Sequence, residues 1–169
     1  MNSKRKGKSG ELEFSRLCRA QGYETHRTAQ CRGDTGQAAD VEGLPGIHIE
    51  VKRGKEIHIE AAYAQAVRDQ TASDVYALPI VASRRDRCAW LITMSDSDFA
   101  KLALKYGLAN VTAIAESRKR FNLDDALTRA KLAHPSRPVV LCYRKSGKEY
   151  RTMLSNDWFE LYREWEVSR

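Results

Sequence analysis

The sequence predicts an α/β fold, and three observations carry that prediction. Helical apolar stripes and strand-like alternation take turns along the chain instead of segregating into blocks. Turn signals at Gly22, Gly43-Leu44-Pro45-Gly46 and Ser146-Gly147 punctuate the segments. Of the 169 residues 42% are hydrophobic and 30% charged, the balance of a globular chain able to bury one domain core and an appended subdomain.

Charge sets the first functional expectation. With 29 Lys+Arg against 22 Asp+Glu, the net charge of +7 suits a polyanionic partner, whose condensed counterions basic side chains displace. No apolar run approaches the roughly 20 residues of a membrane span, and the polar, basic start is not a secretory signal, so a cytoplasmic location is expected. Cys18, Cys31, Cys88 and Cys142 form no CxxC pair, and the histidines are equally scattered. That argues against zinc; Cys18, Cys88 and Cys142 read as buried thiols and Cys31 as a loop residue.

Lys4, Arg5, Lys6 and Lys8 crowd the start and read as a disordered or DNA-touching arm. Ser9 is placed to cap a helix running to about Gln21, with Leu12, Phe14, Leu17, Cys18 and Gln21 as its apolar stripe and Gly22 as its stop. Tyr23 to Thr28 reads as a strand and Ala29 to Ala38 as a polar loop. A hairpin follows, Asp40-Val41 on one side of the turn and Ile47 to Lys52 on the other. Ile59 to Gln70 reads as a helix, Leu78 to Ser83 and Cys88 to Thr93 as strands, and a helix capped by Ser95 or Asp96 runs to Tyr106. The last third promises a helix (Asp124 to Ala133), a hairpin (Pro138 to Tyr143 with Glu149 to Leu154) and a closing helix (Asn156 to Trp165). It echoes what precedes it: Pro79-Ile80-Val81 matches Pro138-Val139-Val140, and Thr93-Met94-Ser95 resembles Thr152-Met153-Leu154-Ser155. The expected organisation is a core over 1–106 and an α+β helix–hairpin–helix extension over 107–169, a candidate partial repeat of 60–106. The recurring aromatics, such as Trp90, Trp158, Phe159 and Tyr162, read as core.

The chemistry concentrates at Asp40 and at Glu50-Val51-Lys52, with Glu11 upstream. On a strand, Ile47, Ile49 and Val51 share one face while His48, Glu50 and Lys52 share the other. Glu50 therefore stands beside an ammonium, with the Val51 carbonyl between them and Asp40 across a short hairpin. Carboxylate and carbonyl oxygens are natural ligands for a hard divalent cation, and such a cation activates water for phosphodiester hydrolysis. Read without that chemistry, the same residues are a solvated strand face with cross-strand ion pairs. Gln65 reads as a solvent-exposed helix residue, and His48 and His58 as packed or exposed histidines rather than general bases. Asp34, in the loop, is a weaker ligand candidate than Asp40.

Lys6-Gly7-Lys8-Ser9-Gly10-Glu11 before a helix, then Ala39-Asp40-Val41, then Ile49-Glu50-Val51-Lys52, together resemble the PD-(D/E)xK nucleases. Order and spacing are most similar to the archaeal-type Holliday junction resolvases and their phage relatives, over roughly residues 4–95. The resemblance implies a restriction-endonuclease-like mixed sheet flanked by helices and a homodimer. It further implies magnesium-dependent incision of branched DNA, with manganese as a substitute. By position, Asp40 and Glu50 become metal ligands, joined by the Val51 carbonyl and by Glu11, and Lys52 becomes the catalytic lysine. Ala39 stands where the motif has proline, and Glu13, two residues past Glu11, is the rival for the upstream acid. Lys4, Arg5, Lys6, Lys8, Arg27, Arg32, Arg53 and Lys55 are the candidate contacts to the DNA backbone.

Overall fold

The computed structural model describes residues 3–28, 38–104, 106–117 and 121–168, with side chains from residue 7 onward in the first stretch. Two compact units divide between Arg87 and Cys88. Each mixes parallel and antiparallel strands and packs helices against them, an α/β architecture.

The first unit comprises α1 (Ser3–Ala20), β1 (His26–Arg27), β2 (Val41–Glu42), β3 (Ile47–Arg53), α2 (Ile59–Ser73) and β4 (Leu78–Arg84). The strands lie in the order β1-β2-β3-β4. The first two pairings are antiparallel, while β3 and β4 run parallel, in register from Ile47–Leu78 to Arg53–Arg84. A parallel pair needs a crossover, and α2 supplies it. Along β3 the residues Ile47 to Val51 are all buried, so the strand is covered on both faces rather than wet on one. Contacts identify the covers. A Cβ built on Gly10 of α1 would meet Val51 and Arg53, whereas Gln65 and Ser73 of α2 reach Lys52 and His48. The odd-numbered face of β3 thus meets α1 and the even-numbered face meets α2.

The start of the chain departs from expectation. Backbone from Ser3 is already helical, so the basic segment belongs to α1 and is not a separate arm. Lys and Arg are good helix formers, which accounts for the extension. Ser9 lies inside the helix and accepts a hydrogen bond from Arg53 Nη1 at 3.0 Å instead of capping. Leu12 is 39% exposed, and the buried face runs through Gly10, Phe14, Ser15 and Cys18. At the other end Gly22, with φ +97°, stops the helix as expected, and the Tyr23 N–H donates back to the Cys18 carbonyl at 3.2 Å. Ser15 and Thr25 then exchange side-chain to backbone hydrogen bonds of 3.0 and 2.9 Å, tying the chain after the helix to its buried face.

The second unit comprises β5 (Leu91–Ser95), α3 (Asp96–Ala103), a 3-10 turn (Leu108–Asn110), β6 (Thr112–Glu116), α4 (Leu123–Ala133), β7 (Val139–Lys145), β8 (Lys148–Leu154) and α5 (Ser155–Val167). Its strands lie in the order β5-β8-β7-β6. Only β6 and β7 are parallel, and α4 is their crossover. Because β5 takes β8 as its partner, the division falls ahead of the boundary drawn at 106 from the sequence. Ser95 caps α3 by accepting from the Asp98 N–H at 3.1 Å, and Asn122 caps α4 from the Asp124 N–H at 3.0 Å. At the β7–β8 turn Ser146 and Gly147 have φ of +48° and +79°, the left-handed pair that a two-residue hairpin favours. Trp158, Phe159, Leu161 and Tyr162 of α5 are fully buried. β5 begins three residues later than expected, at Leu91, and α3 stops at Ala103 rather than Tyr106. Cys18 is buried, its thiol pushed up to about 12 by desolvation, whereas Cys88 and Cys142 are only half-buried, which corrects the expectation of three buried thiols. Among the described residues no helix is long and apolar enough to cross a membrane.

Candidate active site

The site forms where the β2–β3 ladder runs out. Val41 of β2 pairs with Ile49, and the Asp40 N–H donates to the Ile49 carbonyl at 2.9 Å. The next inward N–H on β3, that of Val51, has no β2 residue to meet. Asp40 Oδ2 accepts it instead, at 2.7 Å. A residue in a strand presents its N–H and C=O to the same edge, so the Val51 carbonyl lies on the edge that Asp40 occupies. Gly43 allows this arrangement: at φ +111° a Cβ there would stand 2.2 Å from the Glu24 carbonyl oxygen.

Glu50 sits one residue earlier on the face covered by α2, with 3% of its surface exposed. Its Oε1 forms an ion pair with Lys52 Nζ, and that ammonium also donates to Gln65 Oε1 at 3.1 Å. The alternation of β3 places Glu50 and Lys52 side by side, and the parallel crossover brings α2 over them. Gln65 is half-buried and engaged with Lys52, which overturns its reading as a solvent-exposed residue. A lone polar residue within the alanine-rich face of α2 was the available signal.

Desolvation and mutual repulsion dominate the electrostatics. Burial, then the charge of Asp40, push the Glu50 carboxyl up to about 7 against the opposing hydrogen bond and charge of Lys52. Burial also raises Asp40; the Val51 N–H opposes the shift, Glu11 adds to it, and Lys52 and Arg27 counter it more weakly. Among the described residues no ammonium or guanidinium forms an ion pair with Asp40. Two neighbouring carboxylates, Glu50 buried and Asp40 half-buried, are thus partly desolvated and only partly compensated, a condition a cation relieves.

The upstream acids separate clearly. Glu11 pairs with Arg27 and contributes to the field at Asp40. Glu13 is held by Arg53 at 2.7 Å and Arg84 at 3.1 Å, so its carboxylate is committed elsewhere. Arg27 and Arg53 are consequently engaged in intramolecular pairs. Lys8 and Lys55 are exposed, while Arg32, Asp34 and Cys31, with the side chains of Lys4, Arg5 and Lys6, lie outside the described residues. His48 is buried and His58 is exposed just ahead of α2.

The oxygen atoms of Asp40, Glu50 and the Val51 carbonyl, with Glu11 close by, are a donor set for a hard divalent cation. Among the described residues no group of three or more His, Cys, Asp or Glu side chains is placed to hold a metal ion. A magnesium-type ion keeps several waters and needs only one or two protein carboxylates. No family model, curated protein or solved structure matches the chain.

Proposed function

We propose that the chain is a metal-dependent DNA endonuclease of the PD-(D/E)xK type that hydrolyses phosphodiester bonds. The observation that carries the reading is the desolvated pair Asp40 and Glu50 beside a lysine fastened by Glu50 and Gln65. Asp40, Glu50 and the Val51 carbonyl would hold magnesium, or manganese in its place, with Glu11 assisting. The ion supplies polarisation of the phosphate and a water of lowered pKa. Lys52, with its side chain 36% exposed, presents its ammonium at the mouth of the site, where it orients the attacking water and steadies charge on the phosphate. Gln65 holds that ammonium in place. Lys8 and Lys55, with the basic start of α1, supply phosphate contacts that set position without reading sequence. Preference for branched DNA and a homodimeric assembly belong to the same proposal and rest on the resemblance to junction resolvases.

The test is cleavage of a labelled four-way junction and its matched linear duplex, with magnesium or EDTA, by wild type and Lys52→Ala. Magnesium-dependent cutting of the junction, absent in the variant, is the expected result. Equal cutting of both substrates would remove the junction preference and keep the nuclease. Binding with no cutting by folded wild type would sink the enzyme.

A further inference from the structure

The strand order of the second unit ends in β6, and among the described residues no strand lies beyond it. Its pairing with β7 fixes which backbone groups are left over. The Thr112 N–H donates to the Pro138 carbonyl at 2.8 Å, so the backbone groups of Thr112 face β7. That direction alternates along a strand, hence Ile114 and Glu116 face β7 as well. The N–H and C=O groups of Ala113 and Ala115 point the other way, off the edge of the sheet.

Edge strands are ordinarily guarded by brevity, lysine, proline or a bulge. β1, the outer strand of the first unit, has two residues, and they are His26 and Arg27. β6 has five, Thr-Ala-Ile-Ala-Glu, in unbroken register with Val139–Tyr143 and with no lysine, proline or bulge. Ala113 and Ala115 are exposed and carry only methyl groups, so no long side chain hides the groups that point outward. On β7 Val139, Val140, Leu141 and Tyr143 are buried, whereas no residue of β6 is. Cover for the sheet gives out one strand before the sheet does.

The sequence of β6 fits a particular occupant for that edge. Laid antiparallel on itself about a two-fold axis at Ile114, Ala113 faces Ala115 of the second copy and exchanges both hydrogen bonds with it. Ala115 does the same with Ala113. Ile114 meets Ile114 in a non-hydrogen-bonded pair, where Cα atoms approach to about 4.5 Å. Thr112 meets Glu116, a hydroxyl donor beside a carboxylate. Run parallel instead, the strand would set Glu116 beside Glu116, a like-charge pair that costs stability. Each pair of the antiparallel arrangement is small with small, branched with branched or donor with acceptor, and the two carboxylates fall at opposite ends.

We infer that β6 joins a second copy of this chain by antiparallel pairing about Ile114, continuing the β5-β8-β7-β6 sheet across a two-fold axis. A contact of five residues a side falls below the area of a standard stable interface, so the dimer is weak and depends on concentration. The inference rests on β6 and not on the nuclease reading, and it assigns a surface to the dimer which that reading includes.

Sedimentation equilibrium on the full chain, in EDTA and without DNA, tests it. Wild type is expected to dimerise reversibly with a Kd on the order of 100 μM. Ala113→Pro removes an N–H that points away from β7, so β6 keeps its ladder with β7, and Ala115→Lys adds an edge lysine. Each is expected to weaken the dimer at least about tenfold, with an unchanged circular dichroism spectrum. Ile114→Cys brings two thiols together on the axis, within disulfide reach, and is expected to cross-link under mild oxidation into a dimer that wild type does not form. Ala113→Cys is more exposed but offset from its own copy in this register, and is expected to cross-link far less. A wild type that stays monomeric up to about 1 mM, a dimer that both edge variants leave intact, or cross-linking of Ala113→Cys ahead of Ile114→Cys would each overturn the inference. An intact dimer in both variants would place the interface elsewhere on the chain. None of those results would touch the nuclease reading, which fails only on cleavage.

Discussion

Asp40 in the first unit and Asp157 in the second are both carboxylates that accept the N–H of a strand residue, at 2.7 and 2.9 Å. Their surroundings differ. Asp157 is 4% exposed and receives Lys131 Nζ at 2.7 Å, so its charge is matched where it lies. Asp40 faces Glu50 and Glu11 instead, and its nearest cations are committed to those two acids. The strands repeat the contrast. β3 and β6 each run parallel to a neighbour reached through a helix. With Val81 set against Val140, the positions that match Glu50 and Lys52 are Ala113 and Ala115, both exposed. One wiring is therefore present twice, with charge only partly compensated in one place and neutralised or deleted in the other. A buried carboxylate with its own counter-ion holds a fold together, while a half-buried one without it carries a desolvation cost that its surroundings offset only in part.

The largest expected effect breaks this contrast at its active side. Asp40→Asn or Lys52→Ala should lower the cleavage rate by at least about a thousandfold, with DNA affinity largely retained, as single-turnover kinetics and filter binding would show. Next comes the structural side. Asp157→Ala leaves the Val139 N–H and Lys131 without their acceptor and should cost about 3 kcal/mol by chemical denaturation, with cleavage per folded molecule unchanged. If that variant lost activity without losing stability, the distinction between the two aspartates would collapse.

Glu50→Gln sharpens the comparison with the opposite sign. In the folded chain Glu50 holds its proton up to about 7, against an ordinary 4.5, so as pH rises the unfolded chain ionises first. Stability accordingly falls between about pH 4.5 and 7 and stays lower above, a penalty on the order of 3 kcal/mol for a fully formed shift. Glu50→Gln should recover about 2 kcal/mol at pH 8 in EDTA and nothing at pH 4.5, because the lost Lys52 pair offsets part of the gain. Magnesium should raise the melting temperature of wild type and leave that of Glu50→Gln nearly unmoved; an equal rise in both would remove Glu50 from the metal set. Gln65→Leu, which loosens Lys52, should slow cleavage roughly tenfold without changing the metal response. Smallest of all, Ala113→Ser and Ala115→Ser should shift stability by less than about 0.5 kcal/mol and leave activity unchanged.

Much of the first unit was legible because its signals are local. Alternation along Ile47–Lys52 places Glu50 beside Lys52 whatever packs above them, and Gly22 ends α1 through its own backbone freedom. The Ser146-Gly147 hairpin turn is readable for the same reason. Signals that depend on a distant partner were not legible. Ser9 has the composition of a helix cap but serves Arg53, 44 residues away, and Gln65 looked exposed until α2 was laid across β3. β6 escaped notice because none of its five residues is buried, so no apolar alternation marks it. The partners of the upstream acids, Arg27 for Glu11 and Arg53 with Arg84 for Glu13, depend on positions that only the folded sheet supplies.

Gly10 contributes no functional group, yet its missing side chain sets where α1 can lie. A Cβ there would stand 3.0 Å from Cβ of Arg53 and 3.6 Å from Val51 Cγ1, so a larger residue needs α1 or Arg53 to shift by a few tenths of an ångström. Glu11 and Glu13 follow it in sequence and would move with it, away from the guanidinium groups that hold them. Under the proposed nuclease function, a mutational scan scored for activity would then register position 10 as sensitive. In a scan scored for solubility or abundance it would register far less. Divergence between the two maps at a residue with no chemistry of its own marks a spacer, and it is along such spacers that an inherited site can be lost without the fold recording it.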